Sequence, residues 1–368
     1  KRLRDAVAPI AWNSSDIAAG RQFVYTTGLT GEQVGDALHQ AIVLIGSLAL
    51  PGESVVFQND DQSRFDLHEG EGAFLLADAV HNNFMPRKVA NALRRADFHV
   101  DKATGKKTRC NCDDSKRRFN SGVHYTTSAR QKGRTHNGTV YSTDEQMTSG
   151  MTDTTTTNTG NNMAMKRKVH GPGRRWICIT MGDDSVVITL DSEIKRLGGE
   201  AGIRRAYAEF GMEVEASVTH NPLDVKFCSG RFYPVRGSYV LLPKPCKLIA
   251  KMGWDMVERP PHLRAAWVRG VAMTLQHYGQ VDPLLGALGR GLAVQMGPGR
   301  IIDDHTNEYR HMLRVPNSPT RSDILDYYHH HYGINASTVD RLVKLLENVK
   351  VGDVIDDPAL QEMCKRDM

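Results

Sequence analysis

The feature that most constrains this chain is a pair of strand-like runs with almost nothing between them. Trp176-Ile177-Cys178-Ile179-Thr180 and Ser185-Val186-Val187-Ile188-Thr189-Leu190 are rich in β-branched residues, and only Met181-Gly182-Asp183-Asp184 separates them. Glycine in so short a connection predicts a tight β-hairpin. Its tip carries two adjacent carboxylates, which repel each other unless a cation or solvent offsets their charge. A solvent-exposed Asp turn is one reading. A site for a hard divalent cation is the other, because clustered oxygen ligands without histidine suit Mg²⁺. Asp61 favours the second reading. The run Ser54-Val55-Val56-Phe57 predicts a strand that stops at Asn59-Asp60-Asp61, and one sheet can bring both strand ends together. Three carboxylates so placed can hold two divalent ions roughly 3.5–4 Å apart, the spacing used in in-line phosphoryl transfer. Asp303-Asp304 is also an Asp pair, but no strand-like segment follows it, so it reads as a surface turn or helix cap.

Composition excludes several classes. Apolar residues make up 40% of the 368 and charged residues 24%, which is globular composition and not disorder. With 47 Lys+Arg against 42 Asp+Glu, the formal charge of +5 permits a polyanionic partner without demanding one. No apolar run approaches the roughly 18–20 residues that span a bilayer; the longest, 41–50, has the length of a buried segment. The opening Lys1-Arg2-Leu3-Arg4 is followed by no signal-peptide core, and a first residue other than Met leads to the expectation of a fragment or processed product. Six thinly spread cysteines (Cys110, Cys112, Cys178, Cys228, Cys246 and Cys364) read as reduced intracellular thiols. Cys110 and Cys112 form a C-x-C pair followed by His124 and His136. With no second pair at zinc-ribbon spacing, free thiols are the better reading.

Along the chain, periodicity predicts helices over 34–50, where Pro51-Gly52 breaks the pattern, and over 70–82. Residues 102–134 hold ten Lys/Arg against only Asp113 and Asp114, with Phe119 and Tyr125 interleaved. Such a stretch suits a phosphate-bearing channel or a solvated loop equally. Further predictions are a helix over 194–210, strands over 225–235 and 238–242, and helices over 263–278, 284–294, 322–332 and 337–349.

Taken in order, three segments resemble the motifs of viral RNA-dependent RNA polymerases. Asp61-Gln62-Ser63-Arg64-Phe65-Asp66 looks like motif A, in a wording nearest to tombusvirus-like and nodavirus-like plus-strand enzymes. Ser149-Gly150-Met151-Thr152-Asp153-Thr154-Thr155-Thr156-Thr157-Asn158-Thr159 fits motif B, S-G-x(3)-T-x(3)-N-T, at every defined position. Gly182-Asp183-Asp184 is the Gly-Asp-Asp of motif C. Independently, Thr154 and Asn158 are four apart and share a helix face, with Ser149-Gly150 as a flexible turn before it.

The resemblance implies an α+β right-hand polymerase with an antiparallel-sheet palm, partial fingers and a helical thumb. The expected division is 1–50 fingers remnant, 51–86 palm, 87–140 basic fingers insertion, 141–240 palm and 241–368 thumb. It implies RNA synthesis from ribonucleoside triphosphates on an RNA template and primer, with two Mg²⁺ or Mn²⁺ ions held by Asp61, Asp183 and Asp184. Asp66 and Asn158 would read the ribose 2′-hydroxyl. Family members carry a motif D general acid, commonly Lys, but 211–220 contains none, so His220 is the first candidate and Lys226 the second. Lys226-Phe227-Cys228-Ser229 resembles motif E, which supports the primer end. Only Arg2 and Arg4, beside Lys1, stand where the basic motif F is expected, and Arg130, Lys132 and Arg134 are alternative phosphate contacts. His329-His330-His331 reads as part of a thumb helix and not a metal site. Viral or host replication proteins are expected partners, in host cytoplasm at membrane-associated sites, with any anchor outside this stretch. A reverse transcriptase or other palm polymerase, and an inactive RNA-binding replicase subunit, remain as alternatives; Asp66 with Asn158 argues against the first and three intact carboxylates against the second.

Overall fold

The computed structural model describes residues 10–11, 22–62, 65–68, 98–100, 107–109, 130–135, 137–144, 154–252, 258–302 and 318–368. Strands β1 (Ile10–Ala11) and β2 (Phe23–Tyr25) precede helix α1 (Gly31–Ser47), strand β3 (Val55–Gln62) and the one-turn helix α2 (Phe65–His68). Two separate ribbons follow, β4 (Phe98–Val100) with β5 (Lys107–Arg109), and β6 (Arg130–Arg134) with β7 (Val140–Asp144). Helix α3 (Thr154–His170) leads into β8 (Trp176–Met181) and β9 (Asp184–Leu190), then α4 (Asp191–Arg196), α5 (Gly199–Ala208) and β10 (Val214–Thr219). A small sheet comprises β11 (Lys226–Phe227), β12 (Gly230–Val235) and β13 (Ser238–Pro243). Six helices close the described chain: α6 (Pro245–Met252), α7 (Pro261–Tyr278), α8 (Pro283–Met296), α9 (Arg321–Tyr332), α10 (Ala336–Glu347) and α11 (Pro358–Asp367). No described helix is long and apolar enough to cross a membrane. The predicted helix over 70–82 lies outside the described residues, as do Cys110, Cys112, His124, His136, Asp303 and Asp304.

The main sheet has the order β1-β2-β8-β9-β3-β10. The fold is α+β as expected, but the sheet is mixed: β1, β2 and β8 run parallel, while β8, β9, β3 and β10 alternate in direction. Part of the segment expected as a fingers remnant, 1–50, packs on this sheet. Strand β2 pairs with β8 (Val24 opposite Ile179), and Val34, Ala37, Leu38, Ala41 and Ile45 of α1 are buried against the sheet. Burying Val34, Leu38 and Ile45 contributes on the order of 1.5–3 kcal/mol each. The N-terminus of α1 is fixed by a capping box, in which Gln33 N donates to Thr30 Oγ at 3.2 Å and Thr30 N to Gln33 Oε1 at 3.0 Å.

Alternation along each strand sends its residues to two faces. On β3, Phe57 joins α1 and the small sheet, while Val56 joins Met165 of α3 and Tyr207 of α5. The small sheet is glued on both sides: Phe232 and Leu241 face the main sheet, and Tyr233, Val235, Val240 and Leu242 face the helical core. The single helix predicted over 194–210 is broken at Gly198 and Gly199, whose φ angles of 84° and 66° no side-chain-bearing residue adopts cheaply. In the helical region Asp282 caps α8, accepting from the Leu284 and Leu285 amides at 3.0 Å and from the Tyr233 and Tyr328 hydroxyls at 2.8 Å.

Candidate active site

The predicted hairpin is present. Met181 pairs with Asp184, leaving Gly182 and Asp183 as a two-residue connection. Gly182 has φ 64° and Asp183 does not share the positive sign, the glycine-first pattern of a type II′ turn. Strand β3 runs further than its sequence suggests, through Asp60 and Asp61 to Gln62. Asn and Asp are poor strand formers, but pairing on both sides holds them extended. The β3–β9 ladder joins Asp60 to Ser185, so one residue further sets Asp61 beside Asp184 on the same face of the sheet.

Asp61 and Asp184 open into a cleft of about 700 Å³ that is also lined by Asn59, Glu215, Ser229 and the cations Arg204, Lys226, Lys244 and Lys247. Glu215 lies directly opposite Asp61 on β10. The negative charge is costly: Asp184, though exposed as a residue, has its carboxyl pushed up to about 6 by desolvation first and by Asp183 and Asp61 next. The thiol and amide of Cys228 both donate to it. Desolvation and the neighbouring carboxylates raise the Cys228 thiol pKa, keeping it protonated. Cys228 and Ser229 turn the β11–β12 hairpin with φ of 50° and 58°, a strained conformation for residues other than glycine.

Among the described residues no three His, Cys, Asp or Glu side chains gather into a closed metal site. The donor set nonetheless fits Mg²⁺ or Mn²⁺. Mg²⁺ keeps several waters and binds through one or two carboxylates plus substrate phosphates, and Asp61 and Asp184 would supply the carboxylates here.

The other expected site residues divide clearly. Asn158 is buried on α3, with half-buried Thr154 one turn before it. Asp66 lies on α2 immediately after β3, and its side chain is outside the described set, as are those of Arg130 and Lys132 on β6. Arg134 ends β6 and is exposed. Ser149, Gly150, Arg2 and Arg4 lie outside the described residues. His220 does not join the carboxylates: it follows Thr219 at the opposite end of β10 and contacts Ser54 Oγ at 3.2 Å. Five residues of strand separate it from Glu215, roughly 16 Å at the usual rise. Lys226 is in the cleft, its amide donating to Asn59 Oδ1 at 3.2 Å. Phe227, expected to support a primer end, is buried in the core and borders the cleft, while Cys228 is half-buried and Ser229 exposed on that hairpin. Of the three consecutive histidines, His330 Nε2 lies 2.6 Å from Asp224, and His331 is pushed down to about 3 chiefly by burial.

Sequence reasoning missed the polar layer on the sheet's other face. Asp60 pairs with Lys166, both side chains fully buried, and accepts from Gln58 Nε2 at 2.7 Å and Tyr207 OH at 3.3 Å. The signal was present, since Thr154, Asn158, Asn162, Lys166 and His170 recur every four residues along α3.

Residues 110–271, a little under half of the chain, match the family model of RNA dependent RNA polymerase. A crystal structure of the RNA-dependent RNA polymerase of a human picorbirnavirus is similar at a TM-score of 0.47 and 12% identity, over 74% of this chain and 44% of that one. The chain thus spans less than half of that protein's length. No curated protein matches.

Proposed function

We propose that this chain carries the palm and C-terminal helical region of a viral RNA-directed RNA polymerase, nearest in its motif wording to tombusvirus-like and nodavirus-like enzymes. The observation that carries the reading is the juxtaposition of Asp61 and Asp184 on neighbouring strands, with Asp183 at the turn; the turn lies within residues 110–271, which match the family model. Two divalent ions bound there would lower the pKa of a primer 3′-hydroxyl and offset charge on the α-phosphate and departing pyrophosphate.

The remaining chemistry falls to the chain's own groups. Asn158, with Asp66, takes the ribose 2′-hydroxyl, the group that separates RNA precursors from DNA precursors. Lys226 becomes the candidate proton donor to the leaving pyrophosphate, because it shares the cleft with Asp61 and Asp184 and His220 does not. Lys244 and Lys247 add positive charge along the same wall. The reaction joins the 3′-oxygen to the α-phosphorus and breaks the α–β phosphoanhydride. Template, primer and ribonucleoside triphosphates are the proposed partners, with viral or host replication proteins, at membrane-associated sites in host cytoplasm.

Primer extension on a short RNA template with Mg²⁺ or Mn²⁺ tests this. Extension by the parent and none by Asp183→Ala is expected. Equal extension by both would remove Asp183 from the site, and RNA binding without extension or any divalent-ion requirement would favour an RNA-binding module.

A further inference from the structure

The Gly182–Asp183 turn presents three backbone polar atoms to helix α3, and two side chains of that helix take all three. Gly182 N donates to Thr159 Oγ at 2.7 Å. Asn162 Nδ2 donates to the Gly182 carbonyl at 3.2 Å and the Asp183 carbonyl at 2.9 Å. The other end of the Asn162 amide accepts from Gln62 Nε2 at 3.0 Å, and Gln62 is the residue after Asp61. Asn162 is 0% exposed, so no water can replace these bonds if they break. Thr159 is itself pinned, donating to the Thr155 carbonyl at 2.6 Å. One buried amide therefore ties together the strand end bearing Asp61, the turn bearing Asp183, and a helix one turn beyond Asn158.

We propose that Asn162 and Thr159 are positioning residues for the nucleotidyl transfer inferred above, locking the Gly182–Asp183 turn to the end of β3 so that α3 sets the spacing of Asp61, Asp183 and Asp184. Neither residue touches the reacting atoms. The inference rests on the polymerase reading for its kinetic consequence but not for its geometry.

The test compares Thr159→Val, Thr159→Ser and Asn162→Leu with the parent chain, each well below its own melting temperature. Amide hydrogen exchange reads Gly182 directly. Thr159→Val removes the acceptor and should speed exchange at Gly182 about tenfold, the worth of one such bond, while Thr159→Ser should keep it slow. Titration with Mn²⁺ alone should show affinity about tenfold weaker in Asn162→Leu and Thr159→Val, and unchanged in Thr159→Ser. In primer extension kcat should fall about a hundredfold in the first two, with KM for nucleotide and affinity for RNA within about twofold. If Asn162→Leu does not fold, the Thr159 pair carries the test alone. Unchanged Gly182 exchange and Mn²⁺ affinity in Thr159→Val would overturn the proposal, as would a kcat loss that merely tracks the unfolded fraction. A parent chain that extends no primer would defeat the polymerase reading, yet exchange and Mn²⁺ binding would still decide the clamp.

Discussion

Helix α3 and helix α10 are similar in kind, each packed on a buried surface, and they are held by opposite means. Helix α10 buries Val339, Leu342 and Leu346, spaced three and four residues apart, into the apolar core of the helical region. Helix α3 buries Thr157, Asn158, Thr159, Asn161, Asn162, Lys166 and His170, with Met165 as its one buried large hydrophobe. Apolar burial is non-directional and tolerates small shifts. Hydrogen bonds weaken steeply with angle and fix relative position to tenths of an ångström. The polar helix is the one against the carboxylate turn; the apolar helix is remote from it. Positional accuracy takes preference over plain cohesion beside the carboxylate turn, and buried polar groups carry a heavy penalty if any one loses its partner.

This contrast can be broken at several points. The largest effect is expected at the turn's neighbour: Asp61→Ala should reduce primer extension at least about a thousandfold, some 4 kcal/mol of barrier, without lowering the melting temperature. Retained extension would detach the polar layer from any catalytic role. Next, Lys166→Met strands Asp60 as a buried unpaired carboxylate and should destabilise the chain by about 3–5 kcal/mol in urea unfolding, whereas Lys166→Met with Asp60→Leu should recover part of that loss. Leu342→Ala, at 0% exposure in the apolar core, should cost about 2–4 kcal/mol and leave extension per folded molecule unchanged. Equal kinetic damage from Leu342→Ala and Lys166→Met would erase the distinction.

The smallest effect is a pH dependence. Folding raises the Asp184 carboxyl from 3.8 to about 6, so this group favours the fold while protonated. Its contribution is fully present below about pH 4 and is lost as pH rises through about 6. Asp184→Asn should therefore stabilise the metal-free chain above pH 6 and leave it unchanged below pH 4. Because the side chain is exposed, the gain should not exceed about 1 kcal/mol. Thermal melts in chelator across that range would read it, and an effect of opposite sign would show that the carboxylates are already neutralised.

Much of the apolar architecture was legible in sequence. The hairpin at 176–190 and the long C-terminal helices follow from β-branched runs and from 3.6-residue periodicity, and α7 to α10 lie within a few residues of their predicted spans. The short α6 and α11 were not seen, having too few turns for a period to stand out. The carboxylates of the site were legible from the two strand ends, and the residues around them only through motif wording. Thr154 to Thr157 on their own read as a polar low-complexity patch, and Asn59-Asp60-Asp61 as the end of a strand, because local propensity opposes what tertiary pairing imposes. The place of His220 was hidden for a plainer reason: position in sequence after the hairpin does not reveal which end of β10 a residue occupies.

The pairing of β3 also bears on how the chain comes into being. Its two neighbours in the sheet, β9 and β10, follow it by well over a hundred residues. At the pace of synthesis, Asp61 leaves the ribosome on the order of ten seconds before either partner strand. Closing so long a loop must precede any reward from pairing, so this part of the sheet assembles slowly. Until Val214 to Thr219 have emerged, β3 keeps an open, adhesive edge. A nascent chain stopped before that point holds all three carboxylates on a sheet whose β3 edge is still unpaired.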